Sequence, residues 1–166
     1  MALNEPLLAE LQHEAALTRK MLERVPDGAF DYKPHEKSMS MGHLASHIAE
    51  IPIWLMTTVD EDGIDFAKGD YKTKEASSNA DLLQIYDDAL AKGIDSLKNA
   101  DDERLLGNWY MKNDGELLMD MPRLQVIRGF VLNHMIHHRA QLGVYLRMND
   151  IPVPSTYGPS ADEQGM

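Results

Sequence analysis

The chain is 166 residues long and 43% apolar, enough for one hydrophobic core, so a single domain over residues 1–166 is expected. It has no cysteine, which excludes disulfides, thiolate metal ligands and a cysteine nucleophile; any thiol chemistry needs a thiol from outside. A formal charge of −11 with scattered basic residues argues against nucleic acid, and the lack of any run of roughly 20 apolar residues or of a signal-peptide pattern argues for a cytoplasmic protein without a membrane partner.

Four segments carry a helical period of apolar residues. The first runs from about Pro6 to Val25, with Leu7, Leu8, Leu11, Ala15, Thr18 and Leu22 as its apolar stripe and Pro26-Asp27-Gly28 as its stop. Asp31 to Lys37 then reads as a loop. The second helix is expected from an N-cap at Ser40 to near Gly63, kinked at Pro52, with Leu44, His47, Ile48, Ile51, Trp54 and Leu55 on one face.

Asp65 to Ser78 is polar and lacks a period, which predicts an irregular, mobile crossover. The third helix spans about Asn79 to Ala100, weakened modestly by Gly93. Between Asp101 and Met121 lies a connector whose Asn113-Asp114-Gly115 suits a small hairpin, although a short helical turn also fits.

The last helix, about Pro122 to Met148, has a heptad seam of Leu124, Val131, His138 and Tyr145 with Ile127, His134, Gln141 and Met148. An irregular tail follows from about residue 150. The predicted class is all-α: an antiparallel four-helix bundle with a long crossover connection.

His134 and His138 are four residues apart, so a helix stacks them on one face, where two imidazoles can converge on one ion. Taken alone, such a pair can equally be solvent-facing. The seam places both in the bundle interior, where imidazole nitrogens without partners cost about 1–3 kcal/mol each and a metal would satisfy them. His47 occupies the corresponding inner face of the second helix. The pair His134 and His137 is geometrically possible too, but His137 falls beside the seam.

Three neutral imidazoles suit Zn²⁺, Ni²⁺, Cu²⁺ or Fe²⁺ and leave coordination positions open. His43 reads as a capping or surface residue, and His13 and His35 as surface residues. Glu50, one turn after His47, is a candidate base or hydrogen-bond acceptor, against a favoured reading as a solvated residue. Trp54, Trp109 and Tyr110 are candidates to line a pocket beside the metal.

The stretch Ser40-Met41-Gly42-His43-Leu44-Ala45-Ser46-His47-Ile48-Ala49-Glu50, with His134-Met135-Ile136-His137-His138-Arg139-Ala140-Gln141-Leu142 and the later Pro152, Pro154, Tyr157-Gly158 and Ser160-Ala161-Asp162-Glu163, resembles the DinB/YfiT-like family. The match covers about half the chain. Carried over residue by residue, the family's first histidine falls on His47 and its His-x-x-x-His-Arg-x-Gln motif on His134, His138, Arg139 and Gln141.

The resemblance implies a four-helix bundle with a long crossover, a homodimer, and a divalent metal, commonly nickel or zinc, on His47, His134 and His138. It also implies metal-dependent transferases and isomerases that use low-molecular-weight thiols, and hydrolases, acting on small molecules. Gln141 is expected to orient a ligand or water. Arg139 is expected to point away and anchor the acidic tail, or a dimer partner, through Asp162 or Glu163.

Three functions remain open to the sequence. One is a metal-dependent transferase or hydrolase in which Glu50 or Tyr157 assists proton transfer. The others are a non-enzymatic metal-containing stress-response or ligand-binding protein and a metal-free interaction module. No residue is assigned a catalytic role beyond the metal ligands.

Overall fold

The computed structural model describes residues 2–68 and 74–164, and local start and stop chemistry accounts for many of its element boundaries. Helix α1 is Asn4–Leu22, with Pro6 in the first turn, where a missing N–H has no intrahelical acceptor to lose. Leu7, Leu11, Ala15, Thr18 and Leu22 are buried, and Leu8 packs against them partly buried. Helix α2, Met41–Glu50, begins where the Ser40 hydroxyl accepts the backbone N–H of His43.

Pro52 does more than kink the second helix. It ends α2, and a separate helix α3, Ile53–Asp60, follows and stops short of Gly63. The break is packed against helix α4, Asn79–Asn99, at Gly93: a Cβ on Gly93 would lie 2.6 Å from the Pro52 carbonyl oxygen. The glycine expected only to weaken its helix is therefore a point of close backbone approach. At the start of α4, Ser78 caps the helix, and the Asn79 side chain donates to the Leu22 and Val25 carbonyls at 2.9 and 2.8 Å, closing acceptors at the end of α1.

The expected crossover opens with structure: strand β1, Gly63–Asp65, and a 3₁₀ turn at Phe66–Lys68. Residues 69–73, and with them the expectation of mobility there, lie outside the described residues. The connector contains both of its alternatives, helix α5 at Asp102–Leu106 and a hairpin of strands β2, Asn108–Asn113, and β3, Glu116–Pro122. At its turn Asp114 and Gly115 have φ of 51° and 79°, the two positive angles of a type I′ turn. Asp65 accepts both of their N–H groups, and β1 lies parallel to β2, giving the order β1-β2-β3.

A strictly all-α class is thus corrected to a mostly helical fold with a small three-stranded sheet. The turn chemistry selects the hairpin, and buried Trp109, donating to the Thr57 carbonyl at 3.2 Å, fixes it to α3. The last carbonyls of α3 are closed by two arginines. Arg104 donates to Val59, Asp60 and Glu61, and buried Arg123 donates to Thr58 and Glu61.

The final helix is built from α6, Arg123–Val126, a π-helical stretch at Ile127–Asn133, and α7, His134–Met148. Hydrogen bonds from i to i+5 take one more residue per turn than an α-helix does, so the inward-facing positions advance by one. Ile127 and Val131 of the expected seam are buried, but beyond the π stretch the buried residues are Met135, Arg139, Leu142 and Leu146. His134 and His138 are displaced to the half-buried edge of the core, while Gln141 and Met148 are exposed.

Arg139 is corrected most of all, because the shift brings it inward. It is 2% exposed, and its guanidinium donates to the Glu14 carboxylate at 2.7 Å, to the Glu14 carbonyl at 3.0 Å and to the Thr18 hydroxyl at 3.1 Å. The Tyr157 hydroxyl accepts from Arg139 and donates to the same carboxylate, both at 2.6 Å. The tail is irregular from residue 151 as expected, but its acidic residues pair elsewhere: Asp162 with Arg147 and Glu163 with Arg24.

Helix α4 packs against α1, α2 and α3, and α7 against α1 and α2, around one apolar core. Among the described residues no helix is long and apolar enough to cross a membrane.

Two substitutions test this packing in chemical denaturation. Gly93→Ala, which would stabilise an exposed helix, is expected to destabilise this protein by about 1–3 kcal/mol, because its methyl group meets the Pro52 carbonyl. Arg139→Ala leaves the Glu14 carboxylate buried and unpaired and is expected to cost about 3–5 kcal/mol, most of it recovered in the double variant Arg139→Met, Glu14→Gln.

Candidate metal centre

The site follows from the shifted register of the last helix. His134 is the first residue of α7 and His138 lies one turn on, at the edge of the buried stripe that faces α2, which carries His47. The Nε2 atom of His134 lies 3.2 Å from Nε2 of His47 and 2.8 Å from Nε2 of His138. The three ligand atoms all fall within 4.8 Å of one another.

The other nitrogens decide what those Nε2 atoms are. The Nδ1 atom of His134 lies 3.3 Å from the Phe130 carbonyl, an acceptor only, so the neutral ring carries its proton on Nδ1. Nδ1 of His138 is 2.8 Å from the Gln141 amide oxygen, and the Gln141 amide nitrogen is 3.1 Å from Nε2 of His137. With that amide orientation both His134 and His138 present Nε2 lone pairs to each other. Lone pairs facing each other at 2.8 Å are repulsive, and a cation between them removes the repulsion.

A metal with nitrogen ligands at about 2.0–2.1 Å in tetrahedral geometry holds them about 3.3 Å apart, close to the separations here. The donor set of three imidazoles is therefore one that could hold a divalent ion.

Burial first, and then the neighbouring imidazoles, pushes His47 from the ordinary 6.5 down to about 4. His134 and His138 are also lowered, chiefly by burial. At neutral pH all three rings are uncharged, the state that ligates metal.

The remaining candidates separate clearly. His137 is exposed, with Nε2 on Gln141, outside the cluster. His43 is exposed, as expected, with Nδ1 on Glu75 at 2.7 Å. Glu50 is buried and not solvated, and its carboxylate accepts the Lys74 backbone N–H, while Ser46 accepts that of Ala76 at 2.9 Å; α2 thereby holds the end of the crossover. Tyr157 is engaged with Arg139 and Glu14.

Trp54 meets Trp109 and Phe66 edge to face, at 6.5 and 6.4 Å, on the side of the sheet. The cleft that adjoins His138, about 410 Å³ in volume, has other walls: Lys37, Ser38, Met39 and Tyr145. None of Trp54, Trp109 and Tyr110 lines it. Sequence spacing could not find the segment 37–39, since it reaches α7 only through tertiary contacts such as the Tyr145 hydroxyl on the Met39 carbonyl.

A family model described as "DinB family" matches residues 1–165. Among curated proteins, the uncharacterized protein YrdA of Bacillus subtilis (strain 168) is 24% identical over 161 residues, covering 94% of this chain and 89% of that protein. Two crystal structures share the fold. A DinB-like protein from Bacillus cereus ATCC 10987 superposes with a TM-score of 0.73 at 21% identity, over 94% of this chain and 98% of the other. The DinB-like protein YjoA of Bacillus subtilis does so with a TM-score of 0.73 at 20% identity, over 97% and 100%.

The lowered histidines predict a pH window for stability. Rings that resist protonation when folded take up protons more readily when unfolded, so stability is fully present above about pH 6.5 and is lost as pH falls toward about 4. The melting temperature of metal-free protein should fall through that window, and His47→Gln should flatten the fall. An unchanged profile in that variant would remove His47 as its source.

Proposed function

We propose that this chain, which belongs to the DinB family, holds one divalent metal on His47, His134 and His138 and is a metal-dependent enzyme, a thiol-dependent transferase or a hydrolase acting on a small electrophilic molecule. The observation that carries this reading is the convergence of three uncharged imidazoles, Nε2 to Nε2, one of which, His138, lines a cleft of about 410 Å³. Nickel and zinc are the metals proposed, with iron and copper also compatible with imidazole donors. Bound there, the ion supplies Lewis acidity and lowers the pKa of a water or an incoming thiol.

The chain's own residues do the positioning. The Phe130 carbonyl and the Gln141 amide hold the Nδ1 protons of His134 and His138, which orients both rings and raises their basicity as donors. Tyr145, donating to the Met39 carbonyl, keeps the far wall of the cleft against α7. The absence of cysteine suits a thiol that arrives as a small molecule. An antiparallel four-helix bundle, a homodimer and a cytoplasmic location belong to the same reading.

A second reading, a non-enzymatic metal-containing stress-response or ligand-binding protein, draws on one feature: among the described residues the three-histidine cluster includes no carboxylate.

Protein purified without a histidine tag and incubated with Ni²⁺ or Zn²⁺ should carry one equivalent of metal by elemental analysis, and His134→Ala much less. Gln141→Leu should weaken metal affinity about 10–100-fold, with His137→Ala close to native. Substoichiometric metal in the native chain sinks the proposal. Thiol-transfer, ester and amide assays with and without metal separate the enzyme from the second reading, which predicts no turnover in any of them.

A further inference from the structure

The cleft beside His138 has a charge that the imidazoles do not explain. Lys37 is the only Lys, Arg, Asp or Glu in its wall, which it shares with Ser38, Met39, Gln141 and Tyr145. A neighbouring cleft uses the same Lys37, Ser38 and Met39 and adds Lys33; the carboxylate there, Glu75, is hydrogen-bonded to His43. Among the described residues Lys37 is in no ion pair.

The wall is also held in place. Besides the bond from Tyr145 to the Met39 carbonyl, the Tyr32 and Tyr145 rings meet edge to face at 6.1 Å, so the segment that presents Lys37 is fastened to α7 at both ends.

An ammonium outside any ion pair, on a residue that lines a cleft with no carboxylate in its wall, attracts an anion through charge-assisted hydrogen bonds. His138 also lines this cleft, so an anion on Lys37 would share the cleft with one of the three clustered histidines. We propose that the cleft binds a small molecule carrying a carboxylate or a phosphate, its anionic group on Lys37 and its reacting end toward His138 of the three-histidine cluster. The inference rests on the metal-dependent reading of that cluster.

Two measurements test it. In metal-free protein, inorganic phosphate and acetate are titrated while backbone amide NMR signals are followed. Saturable shifts at Lys37, Ser38, Met39 and Gln141 are expected with at least one anion, and their loss in Lys37→Gln; the anion that acts names the class. No saturable shift, or an unaltered one in Lys37→Gln, overturns the proposal.

In Co²⁺-loaded protein, the thiolate-to-cobalt absorption band reports thiol affinity. Mercaptosuccinate or 3-mercaptopropionate should bind about tenfold more tightly than neutral 2-mercaptoethanol. Lys37→Gln should abolish that factor and leave cobalt content and 2-mercaptoethanol affinity unchanged. Equal affinity for charged and neutral thiols in the native protein also overturns the proposal. If the chain takes up no cobalt, the metal-dependent reading fails separately, and the phosphate and acetate titration alone decides the anion site.

Discussion

Between Ile127 and Asn133 the last helix spends one residue more per turn than an α-helix, and the placement of both its imidazoles and its buried arginine depends on that extra residue. An unbroken heptad would bury His134 and His138 in the apolar interior. The π stretch turns Met135, Arg139, Leu142 and Leu146 inward instead and leaves the two histidines at the rim, with His134 beside His47 and His138 lining a cleft. A histidine cluster sealed in the core would be closed to ions and to solvent. At the rim, the rings are desolvated enough to stay uncharged and exposed enough to meet a small molecule.

The same shift creates a demand elsewhere. A guanidinium that turns into the core must find acceptors there, and Arg139 finds the Glu14 carboxylate, the Thr18 hydroxyl and the Tyr157 hydroxyl. These join α7 to α1 and to the C-terminal tail. Tyr157 is held in its protonated form by burial and by its bond to Glu14, which raises its pKa. The motif His-x-x-x-His-Arg-x-Gln thus divides into two jobs across one helix: His134, His138 and Gln141 face the rim, and Arg139 faces the core.

Side-chain hydrogen bonds also fasten the loops around the bundle. Glu50 and Ser46 of α2 hold the backbone of residues 74–76, Tyr145 holds Met39, and Arg104 and Arg123 close the end of α3. Asp65 ties β1 to the hairpin turn. The cleft beside His138 draws its walls from three separate parts of the chain: the segment 34–39, Leu44 of α2, and His138, Gln141 and Tyr145 of α7.

What the sequence by itself determined is whatever depends on local chemistry and short spacing. Ser40 as a cap, a distortion at Pro52, the apolar stripe of α1, the Asn-Asp-Gly turn and the pair His134 and His138 were legible, because a cap, a proline, a turn and an i, i+4 pair act within a few residues; His47 came from the apolar face of its own helix and from the family resemblance. The heptad seam was legible in outline but wrong by one position beyond Val131, since nothing local in Ile127–Asn133 announces a change of hydrogen-bond pitch. Only the tertiary structure decided that Arg139 is internal, that Glu50 is buried, that β1 joins the hairpin into a sheet, and that Lys37 shares a cleft with His138. Those outcomes depend on which surfaces meet across more than twenty residues of chain, and spacing along one helix carries no information about what the neighbouring helix presents to it.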